Sequence, residues 1–143
     1  MIKAVVIALV AGLGFCGTVK VSENFWDDYN TQYKKEMHQN EELVHKVHRL
    51  ATSVIIARDN LKYGELEASP ENLDDVIKQI EETDGWLKMR VLDSLKEWRK
   101  GNFVDTVKVH NIIWNKLEGN IGKAIDVDQA EVDRLLEKYD YNK

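Results

Sequence analysis

The sequence has a single cysteine, a single proline and no excess of basic residues, and these shortages exclude several classes of protein. Cys16 has no second cysteine to pair with, so an intramolecular disulfide and a small disulfide-stapled fold are excluded. The 20 basic residues are outnumbered by 25 acidic ones in a chain of 143 residues. An acidic surface repels phosphate groups and gains nothing from counterion release, so we expect no binding to nucleic acid.

The composition is that of one folded domain with an uneven distribution of charge. Hydrophobic residues make up 43% of the chain and charged residues 31%, a balance typical of globular rather than disordered proteins. Lys3 and Lys20 are the only charged side chains among the first 22 residues, so residues 23–143 carry a net charge of −7. We therefore divide the chain into a signal anchor or signal peptide, residues 1–22, and an acidic all-helical domain, residues 23–143.

Residues 4–19 contain no charged side chain and are flanked by Lys3 and Lys20. At ~1.5 Å per residue this stretch spans roughly 24 Å as a helix, which approaches the ~30 Å hydrocarbon core of a bilayer if the lysines reach the interface. We expect residues 2–20 to cross the cell membrane once, with the acidic domain outside the cytoplasm. A secreted protein with a cleaved signal, lipid attachment at Cys16 and a buried N-terminal helix are the alternatives.

Helical periodicity follows residue 22 and is interrupted by only five glycines and one proline. The pattern predicts an all-α fold, a compact bundle of about five helices of which the first, residues 24–62, is long. Heptads can be written along this helix with Asn40 at a core position, so a homodimer through it is possible. Additional apolar residues at Met37, Val44 and Ala51 widen the apolar face and favour packing within its own domain.

The later helices are predicted from their caps and from the glycines that follow them. Ser69 followed by Pro70 indicates the start of the second helix, which ends near Gly85. The next helices are expected over residues 86–101, over about 104–117 and after a cap at Asp128. No stretch of this domain alternates apolar and polar residues with period two, so no strand is predicted.

Three of the four histidines, His38, His45 and His48, lie on the first predicted helix beside Glu41 and Glu42. The spacing from Glu42 to His45 is that of the Glu-x-x-His motif of di-iron helical bundles. Those bundles need a second copy of the motif, which this sequence lacks. We interpret the histidines as part of a solvated polar face, and we predict neither a bound metal nor a cofactor.

His110 differs from the other histidines because it falls on the apolar face of the fourth predicted helix, together with Phe103, Val107, Trp114 and Leu117. A buried imidazole needs a hydrogen-bond partner. His110 is therefore expected either to tie a loop such as residues 119–125 to the helix or to hold a ligand. Since neither a nucleophile nor a paired carboxylate is placed beside it, no catalytic residue is predicted.

Three motifs in the second half of the chain resemble those of a known family of uncharacterised, N-terminally anchored small proteins from Gram-positive spore formers and their phages. The motifs are Trp98-x-x-Gly101-Asn102-Phe103, His110-Asn111-x-x-Trp114 and Gly119-x-x-Gly122-Lys123-Ala124. The family usually has Asp where Asn102 stands, and a histidine is expected near Thr52. The resemblance implies the helical architecture and the anchor, implies no reaction, and groups His110, Asn111 and Trp114 as one constellation.

The leading functional prediction is a non-enzymatic, membrane-anchored domain that acts outside the cytoplasm through contacts with a protein partner. The alternative is a domain that binds a small ligand or a metal around His110, Asn111, Trp114 and the Gly119–Gly122 loop. Lys123 is the fourth candidate ligand-binding residue because it follows that loop directly.

Overall fold

A computed structural model describes Thr31 and residues 40–143. Lys35–Lys143 form one compact unit, and most of its described residues are helical. In chain order the described elements are α1 (residues 40–53), β1 (Ile55–Ala57), α2 (Pro70–Glu81), α3 (Trp86–Trp98), α4 (Thr106–Lys116), β2 (Ala124–Val127) and α5 (Gln129–Lys138). The prediction of a mainly helical domain with about five helices is confirmed. Two details need correction, the length of the first helix and the all-α class.

The first correction concerns the first helix, which ends at residue 53 rather than at residue 62. The Val54 N–H donates to the carbonyl of Ala51 in a tight turn, and the chain then extends as β1. Ile55 and Ile56 favour this extended backbone because β-branched side chains pack well on a strand. The described part of the helix is not especially long, and the rest of its predicted N-terminal part, residues 24–39, lies outside the described residues.

The second correction is a two-stranded antiparallel sheet, where no strand was predicted. Ile55 lies opposite Val127 and Ile56 opposite Asp126, and a bulge precedes the pair of Ala57 with Ala124. Strands of three and four residues are too short to show an alternating pattern. The prediction failed because these strands are specified by pairing between distant segments rather than by local sequence.

The predicted starts of α2 and α5 are confirmed by their caps. The Ser69 hydroxyl accepts a hydrogen bond from the Asn72 N–H, and Pro70 occupies the first turn of α2. The Asp128 carboxylate accepts in the same way from the Glu131 N–H at the start of α5. A side chain that satisfies a free N–H of the first turn stabilises a helix by about 1 kcal/mol.

The main core is built from one apolar stripe of each helix. The buried residues of this cluster include Leu43, Val47, Leu50, Leu73, Val76, Ile80, Val91, Leu95, Trp98, Val109, Ile113, Val132 and Leu135. A smaller cluster of Ile55, Ala57 and Ala124 packs against Val107 and so joins the sheet to α4. The stripe of α1 is thus used within this chain, and pairing of two copies through the first helix stays a prediction.

The turn between α3 and α4 is held by a hydrogen-bonded carboxylate. Asp105 accepts from the indole N–H of the fully buried Trp98 at 2.7 Å and from the Ser94 hydroxyl at 2.6 Å. Gly101 turns the chain with a φ of +84°, and a Cβ there would lie 2.9 Å from Leu136 Cδ2. Because Asp105 directly precedes α4, these contacts fix where that helix begins.

None of the helices formed by the described residues combines the length and the apolar character required to cross a bilayer. The predicted membrane segment, residues 2–20, and the predicted boundary after residue 22 lie outside the described residues. Membrane attachment therefore stays a prediction.

Candidate functional site

Two histidines from different helices meet inside the domain. His110 of α4 is 1% exposed, and its ring centroid lies 4.5 Å from that of His48 of α1, with the ring planes tilted by 36°. The interpretation of His48 as part of a solvated face with His45 is therefore wrong, since His45 is exposed whereas His48 is half-buried. His38, the third histidine of that interpretation, lies outside the described residues. His48 points inward because it shares one face of α1 with the half-buried Val44 and the buried Thr52, which lie one turn before and after it.

The surroundings of the two imidazoles disfavour their charged form. Burial, together with the neighbouring His110 and His45, lowers the pKa of His48 to about 4. Burial also lowers the pKa of His110, although the Asn111 side chain opposes this shift. Among the described residues, His48 Nε2 is buried without any hydrogen-bond partner, whereas His110 Nδ1 lies 3.4 Å from Asn111 Oδ1.

Asn111 fastens the segment after α4 to the helix. Its side-chain NH₂ donates to the carbonyl of Ala124, and its Oδ1 accepts from the N–H of the same residue, both at 3.0 Å. The amide thus pairs with the backbone of β2 as a neighbouring strand would. Each such bond contributes about 1 kcal/mol to stability. The loop is tied to α4 by Asn111 and not by His110, which was the residue expected to do so.

Trp114 makes the second attachment of the same loop. Its indole N–H donates to the carbonyl of Ile121 at 2.7 Å, and the ring covers Gly119 so closely that a Cβ there would lie 2.4 Å from Nε1. Lys123 Nζ lies 5.8 Å from the centroid of the Trp114 ring, in the range of a cation–π contact. Glycine at position 119 is therefore required by the tryptophan.

Asp59 connects this loop to the segment after β1. Its carboxylate accepts from the Leu61 N–H at 3.1 Å and from the Gly122 N–H at 2.8 Å. These two donors, that of Gly122 foremost, lower the pKa of Asp59. Gly122 has a φ of +75°, and a Cβ there would lie 3.0 Å from the Leu61 carbonyl oxygen. Two loops distant in sequence are thereby held side by side.

A cavity of about 280 Å³ lies between α1, α4 and these two loops. The described residues that line this cavity are His48, Thr52, Leu61, Lys62, Tyr63, His110, Trp114, Leu117, Gly119, Asn120, Ile121 and Gly122. Of the candidate residues, His110 and Trp114 line this cavity together with the Gly119–Gly122 loop. Asn111 and Lys123 are not part of the lining; Asn111 holds the loop in place, and Lys123 lies near the Trp114 ring.

Sequence reasoning missed the contribution of α1 and of residues 61–63 to this cavity. The available signal was the row of Val44, His48 and Thr52, which are four residues apart and therefore share one helix face. Nothing in the local sequence of residues 61–63 indicates that they lie beside residues 119–122. That proximity is produced by Asp59 and by the pairing of β1 with β2.

The described residues do not favour a metal centre. They contain no group of three or more His, Cys, Asp or Glu side chains that could hold an ion. Moreover, the rings of His48 and His110 lie over one another, with their centroids 4.5 Å apart, rather than meeting at a common point. Two imidazoles that share a metal direct one nitrogen each toward the ion from about 2.0–2.1 Å.

Lowering the pH from about 7.5 to about 5 is expected to reduce the free energy of unfolding by about 1 to 2 kcal/mol through His48. Because its pKa is lowered from 6.5 to about 4 in the folded chain, the unfolded chain binds the proton between these values and the folded chain does not. Stability from this source therefore falls as the pH drops through 6.5 and levels off below about 4. Urea unfolding at the two pH values measures the effect.

Two histidine variants control this measurement. His48→Gln is expected to remove the part of the pH-dependent loss that comes from His48, because glutamine does not titrate, and to leave the part that comes from His110, whose pKa burial also lowers. His45→Gln changes an exposed histidine three residues earlier on the same helix and is expected to leave the loss in place. An equal loss in wild type and His48→Gln would contradict the assignment.

The described fold and site define a class of protein, a small helical domain with a cavity between two histidine-bearing helices and two fastened loops. A family of unknown function (DUF6241) matches residues 47–138, which include both histidines, Asn111, Trp114 and both loops. The chain belongs to this family. The expected membership of an uncharacterised family is confirmed, whereas the anchor and the bacterial or phage origin stay predictions. No curated protein and no solved structure matches the chain.

Proposed function

We propose that residues 40–143 form a binding domain for a small, largely apolar molecule, which occupies the cavity beside His48 and His110. The observation that carries this proposal is a buried imidazole nitrogen, His48 Nε2, that lacks a partner among the described residues at a cavity of about 280 Å³. Buried polar atoms in proteins are rarely left without a hydrogen bond. A molecule bound against the His48 side chain would supply that bond if it reaches this nitrogen.

The size and lining of the cavity limit the ligand. Its volume corresponds to about nine water molecules at ~30 Å³ each, and lies just below the usual range for drug-sized ligands. Leu61, Leu117, Ile121 and the ring of Trp114 offer apolar contact to most of such a molecule. We therefore infer a ligand about the size of a single substituted ring, with one polar group directed toward the histidines.

Binding agrees with the lining better than nucleophilic catalysis does. The lining formed by described residues contains no serine, cysteine, aspartate or glutamate. Its buried hydroxyl, that of Thr52, donates at 2.7 Å to the carbonyl of His48 within α1 and is thus engaged by the backbone. The imidazoles are therefore offered to a ligand as hydrogen-bonding groups rather than as partners of a nucleophile.

The test is a titration of the ¹⁵N-labelled full chain with a panel of small aromatic fragments, followed by NMR. At least one fragment is expected to shift the amide signals of residues 61–63 and 119–122, with a dissociation constant of about 0.1 to 1 mM. Affinities in this range are ordinary for ligands of about ten non-hydrogen atoms. A panel in which no fragment shifts these signals would contradict the proposal.

A matched pair of isoleucine variants locates the binding. Ile121 lines the cavity and is 46% exposed, so Ile121→Trp can fold and is expected to fill the cavity and prevent binding. Ile125 is 53% exposed and lies outside the lining, so Ile125→Trp is expected to bind as wild type does. Equal binding by both variants would place the fragment elsewhere.

Attachment of this domain to the outer side of the cell membrane, and contacts with a protein partner, are further proposals that rest on the sequence. The support for attachment is the uncharged stretch of residues 4–19 between two lysines. Mass determination of the mature chain distinguishes a retained segment from a cleaved one and from lipid attachment at Cys16.

A further inference from the structure

The cavity has an unusual charge pattern for an acidic protein. Its titratable lining side chains among the described residues are His48, His110, Lys62 and Tyr63, and carboxylates are absent from that lining although the chain holds 25 of them. Glu118 lies between the lining residues Leu117 and Gly119, but its side chain is exposed and is not part of the lining. Asp59, two residues before Leu61, directs both carboxylate oxygens to backbone N–H groups. The lining therefore repels no anion, and it offers no acidic partner to a cationic ligand.

The charge of Lys62, the lysine of the lining, does not suffice to hold an anion in the cavity. Lys62 Nζ lies 3.7 Å from Glu65 and 3.7 Å from Asp128, so two carboxylates share its charge. A ligand anion in the cavity consequently needs a second cation. Of the groups facing His48, His110 comes from α4, Lys62 and Tyr63 come from the loop after β1, and His45 comes from α1 itself.

The histidine pair can provide this cation only by taking up a proton. His48 Nε2 is the buried nitrogen that has no partner among the described residues, whereas His110 Nδ1 faces Asn111. A carboxylate at hydrogen-bond distance from His48 would stabilise the imidazolium, in the same way that a nearby opposite charge favours the charged form of any titratable group. The apolar remainder of the ligand would lie against Trp114 and Leu117.

The geometry points to a small carboxylate, about one ring in size, as the ligand of this cavity, with one proton taken up by the histidine pair as the carboxylate binds. The inference rests on the proposed function and adds the ligand class to it. The carboxylate enters as the anion, and an imidazole nitrogen takes a proton from hydronium or the buffer acid. One N–H bond forms as the bond of that acid to its proton breaks, and no bond of the ligand changes.

Three compounds of nearly equal shape test the inference on the full chain: benzoate, benzamide and benzylamine. Benzoate is expected to bind at least about tenfold more tightly than benzamide near pH 6, and benzylamine not to bind measurably. Titration calorimetry of benzoate in two buffers with different ionisation enthalpies is expected to show uptake of about 0.5 to 1 proton. Its affinity should fall by up to about tenfold for each unit of rising pH.

Histidine variants identify the group that takes up the proton. His48→Gln is expected to lose both the preference for benzoate and the dependence of affinity on pH. The exposed His45→Gln is the control and is expected to retain both. Since the buffer comparison uses the unmodified chain, it decides whether a proton is taken up on binding even if His48→Gln does not fold.

The outcomes separate this inference from the proposed function. If benzamide binds in the cavity as tightly as benzoate, or if benzoate binds without proton uptake, the carboxylate inference is wrong and the binding function stands. If neither these compounds nor a wider fragment panel shifts the signals of residues 119–122, both are wrong.

Discussion

Gly119→Ala is expected to lower the free energy of unfolding by about 2 to 4 kcal/mol and to weaken binding in the cavity. A Cβ at this position would lie 2.4 to 2.6 Å from three atoms of the Trp114 indole, far inside contact distance. The ring must move, and it then loses the hydrogen bond from Nε1 to the Ile121 carbonyl. Urea unfolding followed by circular dichroism measures the loss of stability, and NMR titration measures the loss of binding.

A double-mutant cycle isolates the cause. In a Trp114→Ala background the indole is absent, so adding Gly119→Ala is expected to cost less than about 1 kcal/mol. The coupling energy between the two positions should therefore be at least about 1 to 3 kcal/mol. If Gly119→Ala costs the same in both backgrounds, the effect comes from the backbone and not from contact with the tryptophan.

The helices could be predicted because their signals are local. Ser69 with Pro70 and the capping Asp128 each act within a few residues of their own position, and both caps are formed as expected. The strands could not be predicted in this way. Ile55 pairs with Val127, and such a pairing depends on the arrangement of the whole core rather than on neighbouring residues. Residues 55–57 continue the apolar pattern of α1, but this pairing makes them the strand β1 instead of a further turn of the helix.

The site was predicted in part for a related reason. The apolar face of α4 correctly indicated that His110 turns inward, because helical periodicity decides that question. The pattern of α1 assigned both His45 and His48, which lie one turn apart, to a solvated face, and so did not show that His48 turns inward. Contact with a ring from a helix about 60 residues later decides it. Hydrogen bonds of side chains to distant backbone groups, such as those of Asn111 to Ala124, have no periodic signal.

The motif His110-Asn111-x-x-Trp114 can now be divided by task. The side chain of Asn111 forms hydrogen bonds with the backbone of Ala124, and the indole N–H of Trp114 donates to the carbonyl of Ile121. Both are therefore positioning residues of the loop. His110 is the member that faces the cavity and contacts His48. A loop held at two points on one helix keeps the cavity wall at a fixed distance from the two imidazoles.

Trp98→Ala is expected to have the largest effect on stability of the single substitutions considered, about 3 to 5 kcal/mol. The side chain is fully buried in the main core, so its removal leaves a cavity. It also leaves Asp105 Oδ1 without the indole N–H that donates to it. Because Asp105 precedes α4, a loosened turn also displaces the helix that carries His110. Urea unfolding followed by circular dichroism is the appropriate measurement, since tryptophan fluorescence itself changes in this variant.

Trp86→Ala is the matched control for this prediction. Trp86 begins the helix that Trp98 ends, is 37% exposed, and has Lys116 Nζ 5.5 Å from its ring centroid. An exposed cation–π contact contributes about 0.5 to 1 kcal/mol, and the covered part of the ring adds apolar burial, so Trp86→Ala should cost about 1 to 2 kcal/mol, less than Trp98→Ala. Trp98→Phe separates the two contributions further: it keeps an aromatic ring in the core, removes the donor to Asp105, and is expected to cost about 1 to 3 kcal/mol. Equal losses for Trp86→Ala and Trp98→Ala would contradict the prediction that the buried indole contributes more to stability than the partly exposed one.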